Sequence, residues 1–229
     1  MSKPTVQVSD IILRGLRTTI FLNLAAFTLA VTLSLLVTGL ILFLSEPAQR
    51  KFVTILTGMA SLPSFFWAPL LVFIFGDYLG IFPTFDDGTW LAWCLPLFAI
   101  VVRPWATLNL VLYETWSASM KSRVLLFARA KGIRKFQIVF SHGLRLSLVT
   151  FIQKAGQIFL QVIVGSFVVE ILLGINGLAN ILFKGLSQRD YTVVVGISLT
   201  YCIFSIVITQ TMEILSRSFD PRWELSHEQ

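Results

Sequence analysis

Charge is what this sequence has least of. Only 13% of its 229 residues are Asp, Glu, Lys or Arg, against roughly 25% in an average soluble domain. A chain so poor in charge cannot cover a water-facing surface, which excludes an ordinary soluble enzyme. Cysteine is scarce as well. Cys94 and Cys202 both sit inside apolar stretches, so there is no disulfide framework and no metal-ligand spacing. The phosphate-binding loop GxxxxGK followed by Ser or Thr is absent, as are HExxH and GxSxG, so the chain itself is expected to bind no cofactor. His142 and His227 are the only histidines, and no nucleophile–base or metal constellation for an intramembrane hydrolase can be assembled from them. A proton-coupled carrier usually places acids in mid-membrane. Here Glu170 and Glu213 both fall near the ends of apolar runs.

What is abundant is apolar length: 55% of the residues are hydrophobic. About 20 consecutive apolar residues cross a bilayer as a helix, and runs of this kind occupy 18–44, 52–76, 89–112, 147–173 and 191–216. Backbone polar groups in lipid must be satisfied within the segment, so each run reads as a helix. The expected fold is all-α, a polytopic integral membrane protein with five transmembrane helices. Arg14 and Arg17 precede the first run as they would in a signal peptide. That run far exceeds an h-region of roughly 7–15 residues, so it reads as a retained helix.

Basic residues set the orientation. One set of connections holds Arg50, Lys51, Lys121, Arg123, Arg129, Lys131, Arg134, Lys135, Arg145, Arg217 and Arg222; the other holds Lys3, Arg14, Arg17, Lys184 and Arg189. The richer set is expected to be cytoplasmic. This gives an external N-terminal segment 1–17, a membrane domain 18–216 with a cytoplasmic loop 113–146, and a cytoplasmic tail 217–229. The acidic Asp77, Asp86 and Asp87 fall on the outer side. The net charge of +6 does not point to nucleic acid, because the basic residues lie between apolar runs rather than on a soluble face.

The stretch 125–145, LLFARAKGIRKFQIVFSHGLR, is too basic to span and too apolar for an idle linker. Leu125, Ala128 and Lys131 step at helical spacing toward Gly132, a C-terminal cap. Ile133, Phe136, Val139 and Phe140 form a second apolar stripe. Two readings fit these residues: a docking element, or an amphipathic helix lying on anionic lipid.

Here the sequence resembles the first of the two permease types of the dipeptide/oligopeptide/nickel ABC importers. Ala128-Arg129-Ala130-Lys131-Gly132 and His142-Gly143-Leu144-Arg145 are similar to that family's coupling signature. Ser61-Leu62-Pro63-Ser64-Phe65, Gly80-Ile81-Phe82-Pro83-Thr84, Gly165-Ser166-Phe167-Val168-Val169-Glu170, Gly177-Leu178, Arg189-Asp190-Tyr191 and Asp220-Pro221-Arg222 resemble further family motifs in the same order. Val124 and Leu126 replace the family's Tyr and Arg, and Asn176 and Thr192 stand where it usually has proline. The family's usual first membrane helix and external loop have no counterpart.

The resemblance implies an ABC importer type I-like permease core in a prokaryotic inner or plasma membrane. It implies a second permease subunit, two ATP-binding subunits that use ATP and Mg, and an extracytoplasmic solute-binding protein as partners. It also implies that Phe127, Ala128, Arg129, Ala130, Lys131, Gly132, His142 and Arg145 couple the permease to the ATPases, with transport by alternating access. The other readings are a degenerate, non-transporting membrane interaction subunit, and an ion-coupled carrier, which the lack of mid-span acids disfavours.

Several polar residues inside the spans are candidates for the translocation path or gate. Arg103 lies near mid-bilayer, where an arginine costs about 2.5–3.5 kcal/mol on insertion scales. It reads either as a contact to an anionic substrate group or a partner subunit, or as a snorkelling side chain or a donor to carbonyls freed by Pro63, Pro69 or Pro104. Gln153, Gln157 and Gln161 recur every four residues on one helix face with Lys154 beside them. That stripe either lines a wet path or bonds a neighbouring helix. Glu170, Gly177, Arg189 and Asp190 are assigned to an external gate, with a Glu170–Arg189 ion pair as the plainer reading.

Overall fold

The computed structural model describes residues 8–83 and 89–219, without the side chains of 124, 126, 128, 129, 135, 141, 142, 146, 149 and 216–219. Every regular element among the described residues is helical. In order these are α1 (Val8–Ile41), α2 (Glu46–Ser61), α3 (Ser64–Leu71) with a π-helical turn at Val72–Tyr78, and a short 3-10 turn at Trp90–Trp93 leading into α4 (Cys94–Met120). Then follow α5 (Arg123–Ala130), α6 (Lys135–Gln137), a second π-helical turn at Ile138–Gly143, α7 (Leu144–Leu172), α8 (Leu178–Gln188) and α9 (Tyr191–Phe219).

Among the described residues, four stretches are long and apolar enough to cross a bilayer: Val8–Ile41, Trp90–Met120, Thr150–Leu172 and Tyr191–Leu215. The expected second span is a bent pair instead. Glu46–Ser61 and Ser64–Tyr78 are separated by a break, and make a fifth span only when taken together. The break follows from Pro63, which is extended at φ −62° and ψ 149° and disfavours helical geometry in the residue before it. Pro69 then sits inside α3, where it offers no amide and crowds the preceding turn.

Two boundaries also move. The first helix starts at Val8 rather than 18, so the expected 1–17 segment ends inside α1. Its early turns are amphipathic: Val8, Ile12 and Leu16 pack on Leu178, Val193 and Ile197, while Arg14 and Arg17 are exposed. Those charges hid the apolar face in the sequence. The expected loop 113–146 contracts in the same way, because α4 continues to Met120 and the helical run that leads into α7 begins at Lys135, with the short α5 between them.

The chain forms two compact units. The first contains Met1–Thr28, Leu62–Val102 and Gln161–Val207. In it a Cβ on Gly165 would lie 2.8 Å from Ser64 Oγ, so the two family-like motifs around Pro63 and Gly165 touch. The second contains Leu29–Ser61, Arg103–Leu160 and Ile208–Gln229. There Thr38 of α1 donates to Asn109 Oδ1 at 2.9 Å, and Asn109 Nδ2 donates to the Trp105 carbonyl at 2.8 Å. Both residues are fully buried. Such interhelical bonds contribute about 0.6–2 kcal/mol in a membrane.

Candidate functional site

The segment between α4 and α6 is built around one short helix. Ser122 Oγ accepts from the Leu125 amide at its start. At its end the Lys131 amide reaches the Phe127 carbonyl, 3.1 Å away, and Gly132 turns the chain at φ +76°. A side chain there would be strained, so glycine fits the turn. Leu125 faces inward, fully buried, while Phe127 is 63% exposed. The Lys131 ammonium sits 4.6 Å from the Phe127 ring centroid and covers one face of it. Ala130 and Arg145 are exposed. The side chains of Ala128, Arg129 and His142 lie outside the described residues; their backbones belong to α5 and the second π-helical turn.

The second apolar stripe expected after Gly132 is not a separate surface helix. Residues 135–172 form one uninterrupted helical run, widened by the π turn at Ile138–Gly143. Ile138 and Val139 are buried, whereas Phe136 is exposed and packs its ring, tilted by 38°, against Phe140 at a centroid distance of 4.8 Å.

Arg103 Nε donates to the Ala60 carbonyl at 3.4 Å. Ala60 lies in the last turn of α2, whose carbonyls lose their helical donors at the Pro63 break. A guanidinium there also suits the negative end of the helix dipole. This geometry favours the carbonyl reading over a free path-lining arginine. Gln153, Gln157 and Gln161 are all exposed along α7, as is Lys154. Among the described residues, the stripe forms no hydrogen bond to another helix.

Glu170 is fully buried. Its Oε1 accepts from Thr19 Oγ1 at 2.8 Å and its Oε2 from the Ala179 amide at 3.0 Å. Thr19 Oγ1 in turn accepts from the Leu178 amide at 2.9 Å. Gly177 occupies the N-cap of α8 with no side chain of its own to cap it, so Thr19 of α1 and Glu170 of α7 cap the helix from outside. A Cβ on Gly177 would collide with the Glu170 carboxylate. The anticipated Glu170–Arg189 pair is not formed. Helix-terminal amides, oriented and close, satisfy a buried carboxylate without a counter-charge.

Arg189 has a different task. It is left-handed at φ 56° and ψ 31° and closes α8, with its own amide on the Leu186 carbonyl and the Asp190 amide on that of Gly185. This is a Schellman closure. Asp190 Oδ1 then accepts from the Val193 amide at 3.2 Å and caps α9.

A family model for the binding-protein-dependent transport system inner membrane component matches residues 30–225. The chain belongs to this family. The permease is 28% identical over 219 residues to the oligopeptide transport system permease protein OppB of Haemophilus influenzae, covering 94% of this chain and 71% of that protein. It is 28% identical over 227 residues to the dipeptide transport system permease protein DppB of Bacillus subtilis, covering 98% and 73%. A crystal structure of an amino acid ABC transporter shares its fold, with a TM-score of 0.71 over 92% of this chain and 94% of that one at 15% identity. The chain is thus a multi-pass membrane permease of an ATP-driven ABC importer, a transport subunit rather than an enzyme.

Sequence reasoning missed three groups that the permease relies on. Thr19 and Asn23, and again Ser34 and Thr38, stand four residues apart within an apolar helix and are all buried. That spacing was a readable sign of polar contacts on one face. Trp116, also fully buried, carried no such sign, because a tryptophan near a helix end also suits a membrane interface.

Proposed function

We propose that this permease imports peptides or a related small solute such as a nickel chelate across a prokaryotic inner or plasma membrane. The relatives named for oligopeptide and dipeptide transport support the solute class. In this reading it pairs with a second permease, receives solute from an extracytoplasmic binding protein, and is driven by two subunits that bind ATP and Mg. Residues 127–132 and 142–145 meet the ATPases on the cytoplasmic side. Gln153, Gln157 and Gln161 face the path or the paired permease, since lipid is a poor environment for three exposed amides. Glu170, Gly177, Arg189 and Asp190 hold α8 as part of the external gate.

One observation carries the coupling assignment: α5 buries Leu125 beneath it and presents Phe127 outward, held by Lys131. An apolar ring fixed on a short helix fits a groove on a partner. Because the ring is exposed, Phe127→Asp should leave insertion intact while placing a charge in a contact that excludes water. The ATPase subunits should then be lost from the membrane, and uptake of a fluorescent tripeptide should fail. Intact recruitment and uptake in that variant would remove α5 from the docking site.

A further inference from the structure

We propose that Trp116 is a positioning residue for coupling, the pin through which displacement of α5 reaches the helical run 135–172. The proposal rests on reading α5 as the docking element. Its physical basis is a joint in the second unit where a π turn, two glycines and one indole meet.

In the Ile138–Gly143 turn the Leu144 amide reaches back five residues to the Val139 carbonyl. Trp116 Nε1 donates to that same oxygen at 3.0 Å. The indole is fully buried, and Phe140 meets it edge-on at 5.7 Å and 84°. Its approach requires that position 143 carry no side chain, because a Cβ there would lie 2.8 Å from Trp116 Nε1 and 3.0 Å from Met120 Sδ. On α1, a Cβ at Gly39 would lie 2.8 Å from Phe140 Cε1 and 3.4 Å from Trp116 Cη2. Helix α5 packs on the same π turn.

An apolar contact alone lets helices slide past one another. A directed hydrogen bond to one carbonyl fixes register. A buried donor and its acceptor also resist separation, since each left alone is desolvated without a partner. The π turn is therefore held to α4 at one backbone oxygen, with Leu125 of α5 buried beside it. Movement imposed on α5 would then turn the run 135–172 as a body instead of being lost in the joint. Gly143, inside the His142–Arg145 motif, acquires a role: it leaves space for the ring.

The test uses the complex of this chain with its second permease and ATPase subunits, carrying Thr150→Cys, an exposed position on the run, as a reporter. Labelling by a membrane-impermeant maleimide is compared with and without ATP–vanadate trapping. Trapping should change the labelling rate in the parent complex. Trp116→Phe keeps an aromatic ring and removes only the donor, so it should shrink that change by roughly threefold to tenfold, the bias of one such hydrogen bond, while ATPase subunits still co-purify. Gly143→Ala should act likewise by displacing the ring. Should either single variant fail to insert, the pair Trp116→Phe with Gly143→Ala serves, because the smaller ring leaves room for the methyl group. A full trapping response in Trp116→Phe overturns the proposal, as does an unresponsive parent complex. ATPase subunits that still co-purify with a Phe127→Asp complex would instead reject α5 as the docking element.

Discussion

The Glu170 carboxylate and the Ala179 amide, 3.0 Å apart, tie the end of α7 to the start of α8. Gly177 is the residue that allows it, since any side chain there would occupy the space of the carboxylate.

Gly177→Ala and Glu170→Ala should therefore each destabilise the complex, the first by collision and the second by leaving the Ala179 amide and Thr19 without an acceptor. A lost buried partner costs about 1–3 kcal/mol. The double variant should cost less than the two singles together, because removing the carboxylate makes room for the methyl group. Thermal unfolding of the solubilised complex measures this, and strict additivity would contradict the packing described.

Gln157→Leu separates two uses of the exposed amides. If they line the path, tripeptide uptake per assembled complex should fall while the second permease still co-purifies. Loss of the second permease, with uptake per remaining complex unchanged, would make the stripe an intersubunit contact.

Orientation is open to direct labelling. Lys184 on α8 and Arg134 ahead of α6 are both exposed, so cysteine at either is chemically accessible. In intact cells an impermeant reagent added outside should modify Lys184→Cys and spare Arg134→Cys. The opposite pattern would invert the topology and move α5 away from the ATPases.

The cap on α9 yields a smaller effect. Asp190→Ala should speed hydrogen exchange at the first amides of α9, with a loss of about 0.5–2 kcal/mol locally. Asp190→Asn, which keeps an acceptor oxygen, should restore most of the protection.

Much of this was legible in the sequence, and the limits have physical causes. Apolar length gave the long helices, because a bilayer imposes it. Gly132 was readable as a helix stop, and the short helix before it is there. The break at Pro63 was readable in the proline itself, which disfavours helical geometry in the residue before it. Glu170 was singled out, and of its two readings the ion pair with Arg189 is not formed. Charge invites a search for opposite charge, while the structure satisfies this carboxylate with a hydroxyl and a helix-end amide from residues far away or side-chain-neutral. Trp116 was invisible for a related reason: the Val139 carbonyl it meets is a backbone atom, and backbone acceptors leave no trace in residue identity.

The joint between α8 and α9 has an implication for what the chain tolerates. Arg189 and Asp190 are adjacent, and each has a backbone assignment of its own, one left-handed and closing a helix, the other capping the next. No spare residue separates them. Substitution there is forgiving in kind, since asparagine accepts left-handed geometry and serine can cap. Insertion is not. One added residue would rotate everything after it by roughly 100° about the helix axis, turning Val193 and Ile197 away from the core they now fill. The segment should accordingly vary in letters while staying constant in length.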